Sequence, residues 1–245
     1  MDFFYTKIEN SGPTTARIGI KGHAPLSQFL NSSFILQFRN IMKVYLSLDN
    51  GHFITVDKLA DFIKHHPEMN LHLHYGNTAE LLKLLDQGKI HMAIVEGNYP
   101  KEKYSHKKYS TEDYIAVCAA SHEFKNIPHT LHDLLDERLL VREQGSGTRH
   151  ILQESLNVRG LSISDFIHYI QIENMHTIIS LLKKDCGISF MYKTAVKEEL
   201  QKGILKEIIL DDFKLQHNFE FIWEKDSLFT EKYISISEEF LTIPF

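Results

Sequence analysis

Asn70-Leu71-His72-Leu73-His74-Tyr75-Gly76-Asn77-Thr78-Ala79-Glu80-Leu81-Leu82-Lys83-Leu84-Leu85-Asp86-Gln87-Gly88-Lys89-Ile90-His91-Met92-Ala93-Ile94-Val95 spells a strand, a helix and a second strand in one short run. Asn70 to Tyr75 alternate with the period of two that a strand requires. Asn77 is a good helix N-cap, and Glu80, three residues on, completes the pattern of a capping box. Gln87-Gly88 ends the helix, because glycine takes the left-handed turn without a Cβ penalty. Ile90 to Val95 is an almost continuous apolar run, as expected of a parallel strand buried on both faces.

The same rhythm extends outward in both directions. Lys43 to Leu48 reads as a strand, and Val56, Leu59, Ala60 and Ile63 fall on one face of a helix that Pro67 closes off. Beyond a polar connection after residue 96, Asp113 to Cys118 and Arg138 to Val141 read as strands. Gly145-Ser146-Gly147-Thr148 leads into a helix ending near Leu156. Ile167 to Ile172 is a strand, and the helix after it places Met175, Ile178, Ile179 and Leu182 on one face. Gly187 to Met191 and Leu205 to Leu210 are further strands, with a helix near Thr194 to Gln201 between them. Alternating strand and helix predicts an α/β fold with a mostly parallel sheet covered on both faces. Two such sets, split near residues 119–122, predict two subdomains.

Composition excludes several function classes. The 245 residues carry 27 Lys+Arg against 32 Asp+Glu, a net charge of −5 that gives no basic field for wrapping nucleic acid. Two cysteines, Cys118 and Cys186, are too few for a disulfide framework or a cysteine-rich metal site. No apolar run approaches the roughly 20 residues of a membrane span, and the N-terminus lacks the features of a secretory signal. These traits predict a cytoplasmic protein.

Ligands of open parallel sheets collect beyond the carboxyl ends of the strands. Polar, helix-starting residues follow strands at Ser47 to Asn50, at Gly76-Asn77-Thr78, at Gly145 to Thr148 and at Asn174. Helix N-termini present free N–H groups and a positive dipole end, so several converging on one point would hold an anion. Taken alone, each is more simply a plain cap, because such caps are the rule at helix starts. Glu96, after the third strand, reads as a catalytic carboxylate or, more simply, as a cap or loop charge. His72 and His74 share one strand face, but no third ligand at a recognisable spacing accompanies them. Cys118 and Cys186 read as buried free thiols. Gly145-x-Gly147 lacks the third glycine of a dinucleotide fingerprint and the lysine of a P-loop, and no nucleophile elbow is evident. No catalytic residue, cofactor or metal is expected.

From about Lys43 to Phe240 the chain resembles the effector-binding domain of LysR-type transcriptional regulators. The segments that carry the resemblance are Leu59-Ala60-Asp61-Phe62-Ile63-Lys64-His65-His66-Pro67-Glu68, Leu73 to Leu82, Ala93-Ile94-Val95-Glu96-Gly97, Arg142 to Arg149 and Gly187-Ile188-Ser189-Phe190, in that order. The resemblance implies a type 2 periplasmic-binding-protein-like fold: two Rossmann-like subdomains joined by crossing strands near Ala116–Ser121 and Phe219–Trp223. It implies subdomain I at 43–118 plus 223–245 and subdomain II at 119–222, with residues 1–42 unassigned. A small effector, anionic in character, would be bound in the cleft by Ser47, Asn77, Thr78, Ser146, Gly147, Thr148 and Asn174. A homodimer would form through residues 53–66 and 70–75, with Phe53, Phe62 and Ile63 adding apolar surface.

The departures from the family pattern are specific. Residues 1–40 match neither the winged helix-turn-helix nor the linker helix of the family, so DNA contact would need a domain absent from this chain. Asp49 stands where a hydroxyl is usual, and its charge would repel an anion unless it points away. Asp185 replaces a glycine, a change that aspartate tolerates in left-handed backbone. A transporter's solute-binding protein and an enzyme on the same bilobal scaffold are the competing readings.

Overall fold

The computed structural model describes residues 41–47, 56–96 and 99–242; within that set, the side chains of 41–47, 56–57 and 73–75 are not described. The reading of residues 1–40 as an unmatched segment, and those of Asp49 and Phe53, lie outside the described residues.

In chain order the elements are β1 (Ile41–Ser47), α1 (Val56–His65), β2 (Asn70–Gly76), α2 (Thr78–Asp86), β3 (Met92–Glu96), β4 (Tyr104–Ala119) and β5 (Arg138–Arg142). There follow α3 (Gly147–Asn157), β6 (His168–Ile172), α4 (Met175–Leu182), β7 (Ile188–Tyr192), α5 (Lys197–Gln201), β8 (Leu205–Ile208), β9 (Leu215–Glu224) and α6 (Thr230–Thr242). The strands run in the order β2-β1-β3-β9-β4-β7-β5-β6, with β8 paired to β4.

The sheet is mixed rather than mostly parallel. β1 is parallel to β2 and β3, and β5 is parallel to β6 and β7, which makes a three-stranded parallel unit at each end. Between them β4 and β9 run antiparallel to each other and to the strands beside them. Each of these two has an end in both halves. β9 pairs with β3 through Phe219 to Ile222, whereas β4 pairs with β7 and β8 through Tyr114 to Ala119. Their shared ladder slips register between Lys108 and Ser110.

β4 begins well before the expected Asp113, taking in much of what reads as a polar connection. Its first part alternates half-buried and exposed positions, with Tyr104 and Tyr109 buried, and its last six residues are all buried.

Side chains alternate across the strands into separate cores. Ala93 and Val95 of β3 pack with Leu81 and Leu85 of α2, while Met92 and Ile94 join the large cluster on the opposite face. On β4, Ile115 and Val117 meet Met175, Ile178, Ile179 and Leu182, so the predicted face of α4 is the buried one. Gly88 (φ 62°) and Asp185 (φ 54°) both take the left-handed turns expected of them.

The predicted face of α1 is corrected. Phe62 is buried and Ile63 is 48% exposed, so the helix turns inward on Leu59, Phe62 and His66 rather than on Ile63. Two adjacent apolar residues leave the periodicity ambiguous, and the larger ring decides it. Phe62 stacks at 4.7 Å on Phe240 of α6, and the His66 ring beside it bonds Glu239 at 2.7 Å. Phe62 therefore belongs to the core of its own chain and cannot add surface to a dimer contact.

Candidate functional site

Three parallel strands of the first half end side by side. Ser47 of β1 lies opposite Gly76 of β2, and Leu46 lies opposite Ile94, two residues before the end of β3 at Glu96. Asn77 caps α2: its side chain accepts from the Glu80 N–H at 3.0 Å, and the Glu80 carboxylate accepts from the Asn77 N–H at 3.2 Å. Such a cap contributes about 1 kcal/mol. The two hydrogen bonds also fix the start of α2, where Thr78 is buried and its hydroxyl has no hydrogen-bond partner among the described residues.

The second half brings β5 and its turn into α3 against this corner. Ser146 caps α3 and Gly147 begins it. Three hydrogen bonds join the halves at this corner. The Asn77 amide donates to Glu143 Oε1 at 3.3 Å, the Ala79 N–H donates to the Gly145 carbonyl at 3.3 Å, and the Thr148 hydroxyl donates to Glu96 Oε1 at 3.2 Å. Tyr114 of β4 supports the helix start from beneath, donating to the Thr148 carbonyl at 2.8 Å.

Asn77, Thr78, Ser146, Gly147 and Thr148 are thus brought together in the fold. The backbone of Ser47 ends β1 next to Gly76, though its side chain is not among those described. Asn174 is not joined to them by any hydrogen bond described: it is exposed and caps α4, accepting from the Thr177 N–H at 3.0 Å.

Sequence reasoning missed the charges at the centre. Arg142 and Glu143 form a buried fork, Nε to Oε2 at 2.8 Å and Nη2 to Oε1 at 3.1 Å. Arg149 reaches back to the Arg142 carbonyl at 2.9 Å and to Gln171 at 2.7 Å. Arg142 after the apolar run Leu139-Leu140-Val141, with Glu143 next to it, was a visible signal, since buried charges persist where they are paired.

Glu96 is the other surprise. It is wholly buried at the start of α3, and its Oε2 has no hydrogen-bond partner among the described residues. A Cβ added to Gly147 would overlap that oxygen, so glycine is what leaves room for it. Burial pushes the Glu96 carboxyl up to about 8; the Thr148 hydroxyl pulls the other way, and the charge of Glu143 adds to the rise. Its carboxyl accepts from the Thr148 hydroxyl of α3, a helix in the other half of the molecule whose cap is Ser146, so it is neither the cap nor the loop charge that its place after β3 suggests.

Cys118 is buried and its thiol is pushed up to about 11 by that burial, which leaves little thiolate for redox chemistry at neutral pH. Cys186 is free and partly exposed. Among the described residues no helix is long and apolar enough to cross a membrane.

The comparisons with known proteins agree with this geometry. The family model of the LysR substrate binding domain matches residues 48–233. An uncharacterized HTH-type transcriptional regulator, YeiE of Escherichia coli K12, is 22% identical over 167 residues, covering 68% of this chain and 56% of its own. The chain thus spans about half the length of the curated relatives it matches.

Among solved structures, the CcmR regulatory domain of Synechocystis PCC6803 in complex with 2-PG superposes with a TM-score of 0.71 at 16% identity, covering 83% of this chain and 98% of that one. A sulfate-bound mutant of the OxyR2 regulatory domain of Vibrio vulnificus gives 0.68 at 17% identity, over 83% and 95%. These neighbours share the type 2 periplasmic-binding-protein-like fold, two Rossmann-like subdomains joined by crossing strands, which is also the architecture of this chain. The match over three quarters of its length and the paired parallel units meeting at one closed corner lead to one conclusion: this chain belongs to the LysR substrate binding domain family.

Proposed function

We propose that this chain is the small-molecule-sensing part of a cytoplasmic LysR-type transcription regulator, and that its effector is a small oxyanion or carboxylate held between the two halves. The single observation that carries the reading is the buried Thr78 hydroxyl, without a partner among the described residues, at the start of α2, whose neighbours Asn77 and Ala79 are hydrogen-bonded to the segment that leads into α3. A buried hydroxyl without a partner costs free energy, and a bound ligand would recover it. Asn77, Ser146, Gly147 and Thr148 would complete the site, with Ser47 at its edge; Asn174 would reach it only on a change of closure. The sulfate named for one structural relative is an anion, which favours that charge here. A ligand bridging α2 and α3 would bias the closure of the halves, here divided at 43–118 plus 223–245 and 119–222, and closure is the signal.

The domain is read as non-catalytic. DNA contact would be made through a helix-turn-helix of the kind named in the relatives' descriptions. A solute-binding protein of a transporter shares the fold, but the curated relatives are described as transcription regulators, which favours the first reading.

Calorimetric titration with sulfur oxyanions and small carboxylates tests the site. Thr78→Val is expected to weaken binding by roughly ten- to a hundredfold, the loss of one hydrogen bond to a charged group. Unchanged affinity in that variant would remove the site.

Dimerisation would use residues 53–66 and 70–75 against the far half of a second copy. Ile63 of α1 is exposed, β2 is one edge strand of the sheet, and exposed Ile167, Tyr169 and Ile170 lie at the other edge, β6, so an antiparallel pair would cover both. Light scattering is expected to give twice the chain mass at tens of micromolar, and a monomer there would count against the pairing.

A further inference from the structure

Three observations meet at the start of α3. The Glu96 carboxyl extends from the end of β3 and accepts the Thr148 hydroxyl through Oε1. Its Oε2 lies in the space that the missing side chain of Gly147 leaves free. That oxygen is buried without a hydrogen-bond partner among the described residues, as is the Thr78 hydroxyl of the facing helix. The first turn of a helix is a place for an anion; here the chain's own carboxyl fills the space beside it, bonded to the Thr148 hydroxyl.

We propose that Glu96 is the specificity-determining residue of the cleft: its carboxyl is the resident occupant of the α3 cradle, and an effector anion enters by displacing it. The proposal deepens the anion-site reading above and rests on it. It implies that the halves close on each other through Glu96 without an outside ligand, and that effector binding exchanges one carboxyl for another oxyanion. Ligands unable to compete for the Thr148 hydroxyl and the space over Gly147 are excluded.

The exchange is coupled to protons. The described groups that face Glu96 are Thr148 of α3, Glu143 of the turn before it, Tyr114 of β4 and Tyr192 of β7. Burial holds both tyrosines far above their usual range, so they stay neutral, and Glu143 is held in its fork with Arg142. Glu96 itself is protonated in its seat up to about pH 8 and would ionise near the ordinary carboxylate value once moved into water. Displacement between those limits therefore releases a proton, and a rise in pH favours it.

Sulfate, which does not titrate between pH 6 and 8, is the probe. Titration calorimetry in two buffers of different ionisation enthalpy reads both affinity and protons exchanged. For the wild-type chain, affinity is expected to rise at least tenfold from pH 6 to pH 8, with close to one proton released per sulfate near pH 6.5. Glu96→Ala should bind at least tenfold more tightly than wild type at pH 6, with no dependence on pH. Glu96→Gln, which keeps the shape of the side chain, should lose the pH dependence and keeps the test valid if the alanine variant does not fold.

Sulfate bound no more tightly by folded Glu96→Ala than by wild type, a total absence of binding included, overturns the proposal. So does proton uptake on binding by the wild type. If in that case Thr78→Val still weakens binding, the anion cleft stands without Glu96 as its occupant. If Thr78→Val is also without effect, the anion reading fails with it.

Discussion

Glu96→Gln is expected to make the domain more stable than the wild type at pH 8, while the two differ little near pH 5. The buried carboxyl is raised from 4.5 to about 8, so across that window the folded chain holds a proton that the unfolded chain has lost. Stability therefore falls as pH rises through the window, and it levels off once the folded state has ionised too. At 1.36 kcal/mol for each pKa unit the ceiling on this loss is roughly 4–5 kcal/mol. Any opening of the cleft that admits water to the carboxylate reduces it. Glutamine keeps the bond from the Thr148 hydroxyl and does not titrate, so its profile should be flat where that of the wild type slopes. Urea unfolding at pH 5, 6, 7 and 8 measures the gap, and parallel profiles would mean that Glu96 is not held in a dry seat.

A residue with this much influence was only half visible in the sequence, for a definite reason. Periodicity reports neighbours on one helix or strand, so it placed the buried face of α4 correctly at Met175, Ile178, Ile179 and Leu182. Local hydrogen-bonding chemistry is equally legible: the Asn77–Glu80 capping box and the left-handed Gly88 stand as read. The bond from Thr148 to Glu96 joins residues far apart in the chain, and no local pattern encodes it. The sequence supplies a glutamate after an apolar strand and a glycine before a threonine, and only the fold puts one against the other.

The same limit explains the remaining differences. The first part of β4 alternates polar and charged residues with buried tyrosines at Tyr104 and Tyr109, a pattern that resembles a loop until β9 lies beside it. On α1, Phe62 and Ile63 compete for the interior, and the rings of His66 and Phe240 settle the contest from outside the helix. Arg142 and Glu143 neutralise each other one residue apart, a pairing that counts for little on a surface. In this buried corner their fork is instead part of what joins the halves, because Glu143 also accepts from Asn77.

Gly147→Ala provides a test of the corner by shape rather than by charge. In an otherwise unchanged helix, replacing glycine by alanine near the first turn stabilises by up to about 1 kcal/mol through a less flexible unfolded chain. Here the new methyl would overlap the Glu96 carboxylate, while the Cβ of Glu96 itself stands 3.2 Å away. The carboxyl must leave its seat or push α3 outward, and overpacking of this kind costs typically 1–3 kcal/mol. Gly147→Ala alone is therefore expected to destabilise the domain by about 2 kcal/mol. In a Glu96→Ala background the overlapping atoms are gone and the remaining Cβ contact is tight but tolerable, so the same substitution should be neutral or mildly stabilising. The difference is a coupling of roughly 2–3 kcal/mol, at the upper end of what residues in direct contact show. Denaturant unfolding of the four proteins in this cycle measures it. An equal cost of Gly147→Ala in both backgrounds would place Glu96 elsewhere, and the resident carboxyl would then have no seat at the start of α3.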